Sequence, residues 1–331
     1  MGRGVGEIYC GRGQMKTILV TGADGFLGRR LCAVFGERGL SFKALVRDPN
    51  STQGVAVDFN NIDALAKHLQ GVDCVIHLIG RAHILKDKDQ DNDAVFDAVN
   101  VDITRKVIEA CRKASVKRFI YMSSVIVMGL LRDEVLTEES ECRPQTAYGR
   151  SKLKAENAVK ELCPKYNIDY CILRSPLIYG PGNKANMFRL LKLVDKGLPL
   201  PLGKINNKRS FAYVDNIVDA LIALANYDKR INATFLASDK EIVSTPELLK
   251  MIAKALRKPC RIFNLPLRLL KLMALINKGA IERLTGSLAI DASRLEKFLE
   301  AGPRYSMEQG LAVTAGWYKS LVPVGILLNA I

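Results

Sequence analysis

An alternation constrains this chain more than any other feature: from Lys16 onward, short apolar runs take turns with longer amphipathic stretches. KTILVT (16–21), FKALV (42–46), GVAVDF (54–59), CVIHLI (74–79), RFIYMSS (118–124) and YCILRS (170–175) read as strands. Between them, segments 26–39, 60–71, 93–114 and 146–166 place apolar residues at helical spacing, several closing on Gly or on a Lys/Arg-rich last turn. Strands that return through helices pair in parallel and have both faces covered, so the expected fold class is α/β, a Rossmann-type doubly wound parallel sheet. The pattern divides the chain into an extension (1–14, read as disordered), the sheet domain (15–175), a smaller interleaved C-terminal part with strands returning to the sheet (176–320), and an apolar tail (321–331). In the second part, Ser244 with Pro246 and Glu247 forms a capping box ahead of LLKMIAKAL.

The first strand runs into Thr21-Gly22-Ala23-Asp24-Gly25-Phe26-Leu27-Gly28. Gly22 permits a tight turn, Gly25 lets a pyrophosphate approach a positive helix N-terminus, and Gly28 lets the helix lie close on its strand. Placed between a first strand and a first helix, the trio indicates a dinucleotide, with Phe26 and Leu27 inside the loop that holds it. At the end of the second strand stand Arg47, suited to a 2′-phosphate, and Asp48, suited to ribose hydroxyls, so NADP(H) is favoured and NAD(H) stays open. Tyr148 and Lys152 are four residues apart, hence on one helical face, and Ser123-Ser124 ends an earlier strand. A fixed cation beside a phenol favours the phenolate, which suits acid/base chemistry.

These motifs resemble the extended branch of the short-chain dehydrogenase/reductases, the NAD-dependent epimerase/dehydratase family, over about Met15 to Ser320. The resemblance implies Tyr148 as general acid/base, Lys152 as the group that tunes it and holds the nicotinamide ribose, and Ser124 as donor to the reacting oxygen. It adds Asp58 and Phe59, Gly80 and Arg81, Asn100 and Ser123 to the cofactor side. Asn100 stands where the family has the asparagine of NVxGT, with Ile103 replacing the glycine, and Met128 replaces the tyrosine of SSxxVYG. The Asp-Glu pair that dehydratases of this branch carry is Val125-Ile126 here, and these cannot move protons, so elimination of water is not expected.

Downstream, Arg174-Ser-Pro-Leu-Ile-Tyr-Gly-Pro-Gly182 is similar to the family's RxxNxYGPG turn, with Leu177 at the asparagine. Asn186, Arg209 and Arg283 are the expected substrate contacts, the two arginines clamping a diphosphate. The resemblance is closest to sugar-nucleotide 4-ketoreductases and 4-epimerases of surface-polysaccharide synthesis. It implies a UDP-linked substrate: reduction of a UDP-2-acetamido-2,6-dideoxy-4-hexulose, or 4-epimerisation of UDP-glucose or UDP-GlcNAc with bound NAD. A homodimer is expected by the same analogy. A non-catalytic sensor or scaffold of this fold would not need Ser124, Tyr148 and Lys152 together.

Composition closes other routes. Eight cysteines are scattered singly, which fits a reducing, cytoplasmic setting, and neither they nor His68, His77 and His83 have metal spacing, so no metal is expected. The +15 net charge concentrates in residues 142–210 (14 Lys/Arg against 4 Asp/Glu) and 250–283 (9 against 1). That distribution fits small phosphorylated ligands, and with Trp317 read as packing there is no stacking platform for nucleic acid. Segment 265–284 is basic and amphipathic, which leaves peripheral contact with an anionic membrane open beside burial against the body.

Overall fold

The structure is a computed structural model, which describes residues 16–82, 92–183, 186–266 and 284–321. The N-terminal extension, His83, Arg283, most of segment 265–284 and the tail beyond Leu321 lie outside the described residues. The strands of the main sheet are β1 (Ile18–Thr21), β2 (Phe42–Val46), β3 (Val55–Ala56), β4 (Cys74–His77), β5 (Arg118–Ser124), β7 (Asp169–Ser175) and β10 (Asn232–Leu236). They run in the order β10-β7-β5-β4-β1-β2-β3, and every neighbouring pair is parallel. The order reverses between β1 and β4, so the crevice at the carboxyl ends of those strands is where this architecture binds ligands.

The helices are α1 (Phe26–Glu37), α2 (Ile62–His68), α3 (Asp93–Asp97), α4 (Ile103–Lys113), α5 (Ala147–Lys165), α6 (Asn186–Asp195), α7 (Val214–Asn226), α8 (Thr245–Leu256), α9 (Ser293–Leu299) and α10 (Met307–Leu321). Successive strand residues point to opposite faces. Ile18, Val20, Ile76, Ile120 and Leu173 therefore join Leu31 and Phe35 of α1 and Ile217 and Leu221 of α7 in one core. Leu19, Val75, Phe119 and Ile172 join Leu65 of α2, Val107 of α4 and Val159 of α5 in the other. The first core continues without a break into α6, α8 and α10, so the C-terminal part shares the sheet's interior. Two ion pairs fasten α7 to α1 and its C-cap: Arg30 grips Asp215 at 2.6 and 3.1 Å, and the capping residue Arg38 reaches Asp219 at 2.5 Å.

The C-terminal part adds β8 (Leu177–Tyr179), β9 (Arg209–Tyr213) and β11 (Ile242–Val243) as a small sheet, and β12 (Ala289–Ile290) pairs with β6 (Val135–Leu136). The Ser244 box caps α8 reciprocally with Glu247.

Three elements differ from the sequence reading. The 54–59 strand shortens to Val55–Ala56 because it is the sheet's edge: no strand among the described residues pairs beyond it, and Asp58 instead accepts the Asn60 amide at 2.9 Å in a local turn. The 74–79 strand stops at His77, which releases Leu78, Ile79 and Gly80 to fold over the β1 turn. The helix expected over 93–114 is interrupted by a π-turn at Ala98–Asp102, centred on Asn100. Such one-turn insertions recur at functional sites, and this one re-aims a buried asparagine.

Candidate active site

At the end of β1, Gly22 adopts φ +72°, and its amide donates to Leu45 O at 3.1 Å, tying the turn to β2. A Cβ on Gly28 would lie 2.2 Å from Gly22 O and 2.8 Å from Ala23 Cα, so only glycine allows α1 to start this close to its strand. Gly25 is the N-cap of α1 and supplies no side-chain cap, and the first turn holds no acidic residue. The first amides of α1, those of Phe26, Leu27 and Gly28, consequently face the crevice as an uncapped positive terminus, which fits a pyrophosphate. Gly182 of the YGPG turn brings the second part over this loop: a Cβ there would sit 3.9 Å from the Phe26 ring.

Beyond β4 the chain is clamped by Asn100. Its Oδ1 accepts the Arg81 amide at 2.7 Å, and its Nδ2 donates to Arg81 O at 3.2 Å and to Ser151 Oγ at 2.8 Å. Gly80 lies against Lys152: a Cβ on it would approach Nζ to 3.1 Å. The Lys152 ammonium, 5% exposed, donates to Met122 O at 2.9 Å and stands 4.6 Å from the centre of the Tyr121 ring. Burial pushes its pKa down to about 8, opposed by the Glu156 carboxylate one helical turn away. Tyr148 lies in the first turn of α5, capped by Thr146, whose hydroxyl accepts the Gly149 amide at 3.0 Å. Burial raises the Tyr148 hydroxyl to about 12, offset in part by its hydrogen bond with Ser124; the phenolate expected from the Tyr148–Lys152 spacing is thus disfavoured here, because desolvation outweighs any cation nearby. Ser124, Tyr148, Lys152, Gly80, Arg81 and Asn100 thus gather at the carboxyl edge of β4 and β5, beside the glycine turn of β1.

The remaining expected residues take other positions. Ser123 is buried, and its hydroxyl donates to Glu156 Oε1 at 2.6 Å, so that side chain has no proton left to donate to a cofactor. Arg47, Asp48 and Asp58 are exposed at the ends of the β2 and β3 ladders, with Phe59 buried behind them. Asp48 accepts the Asn50 amide at 2.9 Å, which occupies one carboxylate oxygen, whereas Arg47 extends into solvent. Asn186 opens α6 on the surface. Arg209 leads β9, donates to Gly286 O at 3.2 Å, and has its guanidinium pKa lowered by burial.

Sequence reasoning missed a polar layer beneath the site. Glu156, fully buried, receives both the Ser123 hydroxyl and a bidentate Arg174 at 2.9 and 2.7 Å. Its spacing from Lys152, four residues along one helix face, was the available signal. His77, fully buried, meets Thr21 Oγ1 at 2.8 Å through Nδ1 and Thr104 Oγ1 at 3.1 Å through Nε2. Among the described residues no cluster could hold a metal, and no helix is long and apolar enough to cross a membrane.

Known proteins agree with this geometry. The model of the NAD dependent epimerase/dehydratase family matches residues 18–235. A UDP-glucose 4-epimerase of Vibrio cholerae is 33% identical over 91% of this chain and 94% of its own. An N-acetyl-alpha-D-glucosaminyl-diphospho-ditrans,octacis-undecaprenol 4-epimerase of Escherichia coli O157:H7 is 30% identical over 85% of each chain. Among solved structures, MoeE5 in complex with UDP-glucose and NAD superposes with a TM-score of 0.74 at 26% identity, over 92% of this chain and 99% of that one. By the family match over residues 18–235 and the 33% identical relative, the chain belongs to the NAD dependent epimerase/dehydratase family, enzymes that work with a nicotinamide dinucleotide.

Proposed function

We propose that this protein is an NADP(H)-dependent ketoreductase acting at C4 of a nucleotide-linked sugar, with a UDP-2-acetamido-2,6-dideoxy-4-hexulose as substrate. The observation that carries the cofactor choice is the contrast at the end of β2: Arg47 is exposed, while Asp48 is already engaged by the Asn50 amide. A guanidinium there pairs with a 2′-phosphate in the bidentate manner that carboxylates disfavour by repulsion. The cradle of Gly22, Gly25 and Gly28 would hold the pyrophosphate, and Gly80, Asn100 and Lys152 would border the nicotinamide half. When bound, the dinucleotide supplies a hydride for the C4 carbon.

The chain's own residues supply the proton and the orientation. Desolvation keeps the Tyr148 hydroxyl protonated at neutral pH, which is the state needed to deliver a proton to the C4 oxygen. Ser124 hydrogen-bonds to Tyr148 in the unliganded site, and with substrate bound its single proton would turn to the same C4 oxygen. The phenolate left behind would be stabilised by the Lys152 ammonium, which lies one helical turn along α5 and is charged below about pH 8. Val125 is buried and Ile126 half-buried, and neither can supply the acid and base that water elimination requires.

Both relatives described above favour a second reading, since each is a 4-epimerase. The 33% identical Vibrio cholerae protein is a UDP-glucose 4-epimerase, and the same Ser-Tyr-Lys set could run oxidation and reduction in one site. Purified protein given NADPH and the UDP-4-keto sugar should consume the nicotinamide absorbance stoichiometrically with product. Interconversion of UDP-hexoses without net cofactor change would overturn the reductase in favour of the epimerase. Peripheral contact with an anionic surface is supported by exposed Leu198 and Phe263 among the exposed cations Lys196, Lys204, Lys258 and Arg261, and sedimentation with anionic vesicles tests it.

A further inference from the structure

We infer that His77 is a positioning residue whose single hydrogen-bonding polarity couples the glycine turn of the cofactor loop to the Asn100 clamp. The inference depends on dinucleotide binding alone and holds for either direction of the reaction.

The direction of every bond in the chain follows from donor accounting. Thr104 Oγ1 lies 2.7 Å from Asn100 O, and a carbonyl can only accept, so the one proton of that hydroxyl is committed there. Thr104 Oγ1 must therefore accept from His77 Nε2, 3.1 Å away, which puts the imidazole proton on Nε2. Nδ1 is then an acceptor and takes the Thr21 hydroxyl proton at 2.8 Å. Burial pushes the imidazole down to about 3, with the Lys152 cation adding to the effect, so the ring is neutral throughout the working range. The groups around it are the Phe119 and Tyr121 rings of β5, with centroids at 5.5 and 5.9 Å, Thr21 of β1, Thr104 of α4 and the Lys152 charge from α5.

Both ends of this chain reach the cofactor crevice. Thr21 pairs with His77 in the β1–β4 register and immediately precedes Gly22, so its side-chain bond fixes where the glycine turn starts. Asn100 O belongs to the π-turn, and the Asn100 side chain holds both backbone groups of Arg81 together with Ser151. Ser151 in turn donates to Tyr148 O at 2.9 Å. Reversing or breaking any bond leaves a buried polar group of this relay unsatisfied, so the turn, the Arg81 loop and the first turn of α5 share one hydrogen-bonded arrangement.

The test compares His77→Leu, His77→Gln and Thr104→Val by NADPH and NADH dissociation constants, read by fluorescence titration, and by thermal melting. Thr104→Val keeps the shape and deletes only the relay, so it stands if the leucine variant does not fold. His77→Leu and Thr104→Val should each loosen the dinucleotide about tenfold. His77→Gln, whose amide offers an acceptor and a donor, should stay within about threefold of wild type even where its melting temperature falls as far as that of His77→Leu. The double variant His77→Leu/Thr104→Val should bind no worse than the weaker single variant. Side-chain nitrogen NMR should find His77 protonated on Nε2 and not titrating between about pH 5 and 9. Unchanged dinucleotide affinity in Thr104→Val, additive losses in the double variant, equal loosening by Gln and Leu, or a titrating His77 would each overturn the inference.

Discussion

Glu156→Gln tests whether the layer under the active site governs both stability and the charge state of Lys152. Glu156 and Arg174 are 0% and 3% exposed at their side chains and meet bidentately at 2.9 and 2.7 Å. Removing one partner of a buried pair costs about 3–5 kcal/mol, because the other charge stays desolvated. The glutamine oxygen still accepts one bond, so the low end, about 3 kcal/mol, applies. With an unfolding entropy near 2 cal/mol/K per residue, that lowers the melting temperature of this 331-residue chain by about 4 °C. The second consequence concerns catalysis. Burial lowers Lys152 to about 8 and Glu156 opposes that shift, so without the carboxylate the lysine falls further. The basic limb of the kcat profile should therefore move to lower pH. Calorimetry and a pH–rate profile measure the two effects, and Glu156→Leu/Arg174→Leu should recover most of the lost stability, since two apolar residues leave no stranded charge. An unchanged melting temperature together with an unmoved basic limb would refute the reasoning.

Tyr148→Phe should reduce turnover by about a hundredfold to ten-thousandfold while dinucleotide affinity holds. Arg47→Ser should weaken NADPH about tenfold to a hundredfold and leave NADH nearly unchanged, as steady-state KM values for the two cofactors will tell. Gly28→Val should abolish dinucleotide binding, seen as loss of fluorescence enhancement, because its Cβ would fall 2.2 Å from Gly22 O. Asp239, 2% exposed, is raised to about 6 by burial despite donors from Tyr213 N, Asn216 and Tyr179. A carboxyl raised on folding gives stability that is complete below about pH 4 and lost as pH climbs through 6, on the order of 2–3 kcal/mol. Urea melts at pH 5 and 8 should show about 1.4 kcal/mol of it, since stability falls by about 1.4 kcal/mol per pH unit between the two pKa values and part is already lost by pH 5, and Asp239→Asn should flatten it.

The sheet and the placing of Ser124, Tyr148 and Lys152 near one another were readable because each rests on local pattern. RFIYMSS and FKALV are buried or half-buried strands with boundaries set by their own apolar runs, and the observed β5 and β2 coincide with them. Gly28 announces itself by spacing alone. What escaped was set by tertiary partners. The edge position of β3 shortened an apolar run that would have continued in the middle of a sheet. The π-turn at Asn100 follows from a side chain satisfying the Arg81 backbone 19 residues earlier, and no period within 93–114 encodes that. The apolar run CVIHLI is enough to read His77 as a buried histidine with satisfied nitrogens, but not to name its partners, since the two threonines come from strand and helix positions 56 and 27 residues away.

The place of β10 has a consequence for how the chain is made. It covers the outer edge of β7, but Ser175 and Asn232 are separated by the α6, β9 and α7 region. During synthesis, a nearly complete sheet must wait for more than fifty further residues with one long apolar edge unpaired. Arg118, which bonds Asp169 and the carbonyls of Leu224, Tyr227 and Lys229, cannot be satisfied before those residues emerge. A fragment ending near residue 180 should accordingly be sticky rather than a free-standing cofactor domain, and chaperone demand should peak over that interval of translation.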